Sequence, residues 1–232
     1  MQTWGAMGMA MHELSYEDAR PRMKPGDVIA FSGKGHFSEV IKMVTFSEVS
    51  HVGVVLQTQI ASFADGRFFN QIIEAATVRG FAGVNISRFS ERLKDYHGAI
   101  WWLTIKADLR EDEDAHKTFY NFLFGHAEAR TGYDLPQALK SAADKFDNLP
   151  FGMNGPFYNK EDFSRFFCSE LVAAGLERAG VVGTVNASEV TPIDLCRWSI
   201  YEDDYYLLKP DTDGSRPSIS RHNRMDPKAW NL

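Results

Sequence analysis

Residues 50–77 read SHVGVVLQTQIASFADGRFFNQIIEAAT. Two apolar runs flank Ala64-Asp65-Gly66-Arg67, and an Asp-Gly pair favours a tight hairpin turn. The stretch predicts a long strand from about His51, a turn, and a second strand over 68–77 returning beside the first. A hairpin of this length points to an antiparallel sheet, and the fold class follows from what surrounds it.

Upstream, MKPGDVIAFSG (23–33) places a Pro-Gly-Asp turn before a short apolar strand that ends at Gly33. In HFSEVIKMVTF (36–46), Phe37, Val40, Ile41, Val44 and Thr45 recur at the spacing of one helical face. Downstream, GVNISRF and HGAIWWLTI bring the total to five or six strands. From Arg110 the period changes. EDEDAHKTFYNFLFGHAEARTG puts Ala115, Phe119, Phe122, Leu123 and His126 on one face, with acidic residues in the first turn and Gly132 available as a stop. LPQALKSAADKF reads as a second helix with proline in its first turn, and NLPFGMNGPFYNKED (148–162) as a loop. Strands first and helices later argue for an α+β domain, with helices on one side of an antiparallel sheet.

The chain has 232 residues, 44% of them hydrophobic, with 17 phenylalanines, which suits one domain with a sizeable core. The expected organisation is an N-terminal arm (1–23), the main domain (24–209) and an extended or mobile tail (210–232), because the tail shows almost no periodicity. A net charge of −6 and the lack of any basic run argue against a nucleic-acid partner. The N-terminus lacks the basic and apolar regions of a signal peptide, and no run approaches the roughly eighteen apolar residues of a membrane span. Two cysteines make no disulfide framework, so the expected location is cytoplasmic. Nothing in the sequence indicates an oligomeric state.

The segment DFSRFFCSELVAAGLERAG (162–180) raises the question of chemistry. Its apolar face, Cys168, Leu171, Val172, Gly175, Leu176 and Ala179, runs for three turns to Gly180 and sets Cys168 at its head. A helix N-terminus supplies partial positive charge, one of the features that favours a thiolate. The plain alternative is a packed thiol, since free cysteine is among the most buried residue types. A start at Ser164, one turn earlier, would weaken the dipole argument. Of the seven histidines, His51 stands out. It opens an apolar strand, and Gly53, two residues on and on the same face, leaves room beside the imidazole. Its alternative is an ordinary strand-end histidine. Glu74 is a carboxylate among apolar residues on the hairpin partner, and carboxylates are seldom buried unless paired. A two-residue turn at Asp65-Gly66 would set Glu74 opposite about residue 57, so a bulge or longer loop is needed to bring it to His51. Cys196 has no adjacent base, and two isolated cysteines provide no structural zinc set.

Together, GDVIAFSGKGHFSEVIKMVTFSEVSHVGVV, IIEA, TGYDL, FFCSELV and TPIDL, in that order, resemble the YiiX-like thiol hydrolases. These form the circularly permuted, papain-like branch of the NlpC-type peptidase superfamily, which also contains relatives of lecithin:retinol acyltransferase. The resemblance covers residues 24–196 in patches, and SHVGVV with FFCSELV is its specific pair. It implies a papain-like half-barrel with the nucleophile helix towards the C-terminus, Cys168 as nucleophile, His51 as general base and Glu74 orienting the imidazole. It also implies that Tyr133, in TGYDL, helps hold the oxyanion; a core tyrosine at a helix end is the alternative. Two departures stand out: the long separation between His51 and Glu74, and a tail after Pro210 that matches nothing in the family. The expected activity is hydrolysis of an amide or ester bond in a small peptide-like, N-acyl or lipid-like substrate, without cofactor or metal. An acyltransferase or lipid hydrolase on the same fold, or a non-catalytic binding module, are the alternatives.

Overall fold

The computed structural model describes residues 10–33, 42, 47–61, 68–78, 80–107, 113–129, 166–219 and 225–230. The strands are β1 (Ala10–Glu13), β2 (Val28–Phe31), β3 (His51–Ala61), β4 (Phe68–Val78), β5 (Phe81–Arg88), β6 (Ile100–Ile105) and β7 (Tyr201–Lys209). They form one seven-stranded sheet in the order β1-β7-β6-β2-β3-β4-β5. Every neighbouring pair is antiparallel except β1 with β7. Among the described residues the α-helices are α1 (Tyr16–Ala19), α2 (Phe89–Asp95), α3 (Glu113–Glu128), α4 (Phe166–Arg178) and α5 (Pro192–Arg197). The class is α+β. The helix expected over 135–146 and most of the one expected over 36–46 lie outside the described residues.

Strand alternation gives the sheet two apolar faces. Val52 and Val54 of β3, Ile73 of β4 and Trp101 of β6 point to the side covered by Phe119 of α3, Leu171 and Val172 of α4, and Ile193 of α5. Phe31, Val55, Ile72 and Trp102 point the other way, against Ala19 of α1 and Phe89 and Leu93 of α2. Helices thus cover both faces rather than one. At four and seven residues, α1 and α2 are too short to show a helical period in the sequence.

Local chemistry fixes the ends of the site-bearing elements. Thr191 and Asp194 form a capping box ahead of α5, with Pro192 in its first turn. Gly180 (φ +72°) ends α4, where Val181 N–H donates to Leu176 O. At Gly98 (φ +148°) a Cβ would fall 1.8 Å from the Ser32 carbonyl, so only glycine lets the chain between α2 and β6 pass the end of β2.

Described segments near both ends of the chain are tied to this domain. β1 pairs in parallel with β7, and Ala19 and Met23 are fully buried. In the tail, the Pro217 carbonyl accepts from Trp101 Nε1 (3.0 Å) and the Ile219 carbonyl from Tyr205 OH (2.9 Å). The Ile219 side chain is 2% exposed. Met225 exchanges backbone hydrogen bonds with Arg197 and Ser199.

Candidate active site

His51 is the first residue of β3 and pairs with Phe31 of β2, whose ring lies 5.2 Å from the imidazole. The preceding Ser50 locks this corner. Its N–H donates to Phe31 O (3.0 Å), and its Oγ accepts from Gly33 N–H (2.8 Å). His51 is 3% exposed and Glu74 is fully buried. The His51 Nε2–H donates to Glu74 Oε2 at 2.7 Å.

The β3–β4 register explains how the two residues meet. The ladder starts with Ala61 opposite Phe68, so six residues lie between the two strands of the hairpin. Irregularities between Val55 and Gln57, and between Gln57 and Ile60, then slip the register, leaving Val54 opposite Ile73. One step further, Glu74 faces Gly53. Gln59, at φ +56°, marks the bulge, and its N–H donates to Asn70 Oδ1 (3.1 Å) in place of a ladder partner. A Cβ at residue 53 would stand 3.1 Å from both Glu74 Cβ and Ile73 O. The missing side chain leaves the carboxylate a path to the imidazole.

A third group completes the cluster. Arg92 of α2 donates from Nε to Glu74 Oε1 (2.6 Å) and from Nη2 to Oε2 (3.0 Å). Its guanidinium also lies over the rings of Phe31 (5.4 Å) and Tyr96 (4.8 Å). Burial opposes ionisation of Glu74, but the Arg92 charge and the hydrogen bonds from His51 and Arg92 outweigh it and hold the carboxyl at about 2. Burial likewise acts against the Arg92 charge, and Glu74 reverses that, so the Arg92 pKa is raised. The C-terminal end of α2 is fixed by Lys209, whose Nζ donates to the carbonyls of Leu93 (2.5 Å) and Tyr96 (2.6 Å).

Cys168 is the third residue of α4, within its first turn, and is fully buried. It packs in the cluster of Val52, Val54 and Ile73. Strand alternation sends His51, Gly53 and Glu74 to the opposite face, that of Phe31 and α2. The structure joins His51 to Glu74 and buries Cys168 in the first turn of α4. Ser169, next to it, donates from Oγ to Val190 O (2.6 Å) and so ties α4 to the loop before α5. Neither cysteine is in a disulfide. The Cys196 thiol is pushed up first by burial and then by the neighbouring Cys168. Tyr133 and the loop 148–162 lie outside the described residues.

Arg92 is absent from the sequence reading. FSERLKD is a seven-residue helix with mixed charges, and nothing in it marks one arginine as turned inward. Among the described residues, no group of three or more His, Cys, Asp or Glu side chains is arranged to hold a metal ion. No described helix is long and apolar enough to cross a membrane. No protein-family model matches the chain, and no curated protein matches it.

Proposed function

We propose that the chain is a cysteine amidohydrolase of circularly permuted papain-like type, similar to the YiiX-like thiol hydrolases. The observation that carries this reading is the buried 2.7 Å bond between His51 Nε2 and Glu74. An imidazole whose Nε2–H is committed to a carboxylate is held in one tautomer, with its basic lone pair on Nδ1. That is the arrangement a thiol nucleophile needs from its general base.

In the proposed reaction, His51 Nδ1 takes the proton of Cys168, and the thiolate attacks the carbonyl carbon of an amide or ester. The backbone N–H of Cys168 and the Tyr133 hydroxyl hold the oxyanion. The imidazolium returns its proton to the leaving amine or alcohol, and the C–N or C–O bond breaks. Water, deprotonated by His51, then releases the acyl group and regenerates the thiol. The substrate class is a small peptide-like, N-acyl or lipid-like molecule. The reading requires thiol and imidazole to meet at the start of β3, where His51 stands.

A second reading is favoured by one observation: Cys168 is fully buried, as a packed thiol is. In that reading the chain is a binding module, and the His51–Glu74–Arg92 cluster ties α2 to the sheet. Turnover of a panel of N-acyl amides, peptides and acyl esters, by wild type, Cys168→Ala and His51→Ala, separates the two. The enzyme reading expects cleavage that both substitutions abolish. Turnover that survives in Cys168→Ala contradicts it. Acyl transfer to an added amine, outrunning hydrolysis, would identify the transferase form.

A further inference from the structure

We propose that Arg92 is a positioning residue for the His51–Glu74 pair, its guanidinium fixing the Glu74 carboxylate in the one orientation that aims Oε2 at the imidazole. This deepens the hydrolase reading and rests on it for its catalytic consequence. The geometric argument begins with the fork. Nε meets Oε1 and Nη2 meets Oε2, so both oxygens are engaged and rotation about the last side-chain torsion is blocked. Oε2 then accepts from His51 Nε2 as well, which leaves the imidazole plane little freedom.

The surroundings hold Arg92 itself. Its guanidinium lies over Phe31, and the same ring packs on His51, so one aromatic side chain bears on both partners of Glu74. Tyr96 flanks it from α2, and Lys209 pins the end of that helix. Charged and titratable groups from two elements act on this site among the described residues. His51 comes from β3 and Arg92 from α2, with Asp95 and Tyr96 of α2 acting on Arg92. On β5 the residue paired with Glu74 is Asn85, which is uncharged and donates its amide to the carbonyls of Ala76 and Gly83. Arg92 is thus a cation that balances Glu74 whenever His51 is neutral. With both of its oxygens engaged, Glu74 acts on the imidazole by orienting it.

The test compares wild type with Arg92→Met and Arg92→Lys. Glutamate carboxyl groups are titrated by carbon-13 NMR, with Glu74→Gln used for assignment. The rate of Cys168 alkylation by iodoacetamide is followed against pH. In Arg92→Met the Glu74 midpoint rises by about one unit or more, a tenfold gain in proton affinity, because an adjacent opposite charge is gone. Lysine keeps the charge but cannot bridge both oxygens. Arg92→Lys therefore leaves the Glu74 midpoint low while Cys168 alkylation slows by about tenfold. A folded Arg92→Met protein with an unmoved Glu74 midpoint overturns the inference. If Arg92→Met does not fold, an alkylation profile in Arg92→Lys identical to wild type overturns it instead. A Glu74 midpoint that shifts while Cys168 is unreactive even in wild type upholds the role of Arg92 at the pair and defeats the hydrolase reading alone.

Discussion

Glu74 stands across the ladder from Gly53, and its carboxylate passes over that glycine to reach His51, two residues nearer the start of β3. The pair depends on a missing side chain as much as on the two present. Gly53→Ala places a methyl 3.1 Å from both Glu74 Cβ and the Ile73 carbonyl, closer than normal packing allows. The expected cost is about 1–2 kcal/mol of stability from overpacking. Urea unfolding checks the magnitude, and the His51 ring-nitrogen NMR shifts report whether the bond to Glu74 has lengthened.

Glu74 also sets an acid dependence. Its folded pKa of about 2 lies below the ordinary 4.5, so the stability it contributes is complete above about pH 4.5. That stability is lost as the pH falls through the window down to about 2, where the folded carboxylate is protonated. The linked free energy is on the order of 3 kcal/mol. Unfolding free energies of wild type and Glu74→Gln, measured from pH 6 to 2.5, are expected to converge across this window. A difference between the two proteins that stays constant with pH would refute the assignment.

Lys209 tests how α2 is held. Its ammonium donates to two carbonyls at the C-terminal end of that helix, where a cation is favoured by the helix dipole. Lys209→Met is expected to lose about 1 kcal/mol. It also speeds amide hydrogen exchange over residues 89–96 while the rest of the sheet keeps its protection.

The tail offers a separate check. Ile219 is buried, and its carbonyl accepts from Tyr205 OH. Ile219→Ala is expected to destabilise the protein by about 2–4 kcal/mol, as for other buried isoleucines cut to alanine. Removal of residues 211–232 is expected to cost more, because Trp101 Nε1 and Tyr205 OH both lose their acceptors. Thermal unfolding measures both. A truncated protein with an unchanged midpoint would show that these contacts contribute nothing.

The sequence made the hairpin legible because β3 and β4 are long apolar runs. It could not give their register. A two-residue turn at Asp65-Gly66 predicts Glu74 opposite residue 57, whereas a six-residue separation and two bulges bring it to Gly53. The bulge at Gln59 is held by the Asn70 side chain, a contact without local sequence signature. β7 escaped because YEDDYYLLK does not alternate: three consecutive residues, Glu202 to Asp204, are exposed. β1 escaped because it is short, lies at the sheet edge and is mostly exposed. The tail carries no periodicity because backbone carbonyls do much of the holding, and carbonyls are the same in every residue. Arg92 illustrates the same limit at the site. Its role arises where α2 meets β4, a contact no local pattern records.

The central claim is that His51 activates Cys168, and alkylation of the two cysteines tests it most directly. Iodoacetamide labelling is followed by mass spectrometry between pH 5 and 9 in wild type and His51→Ala, with the buried Cys196 as internal reference. The account predicts that Cys168 reacts faster than Cys196, reacts below the ordinary thiol pKa of about 8.5, and slows in His51→Ala. A Cys168 that labels no faster than Cys196, and at the same rate with or without His51, would contradict it.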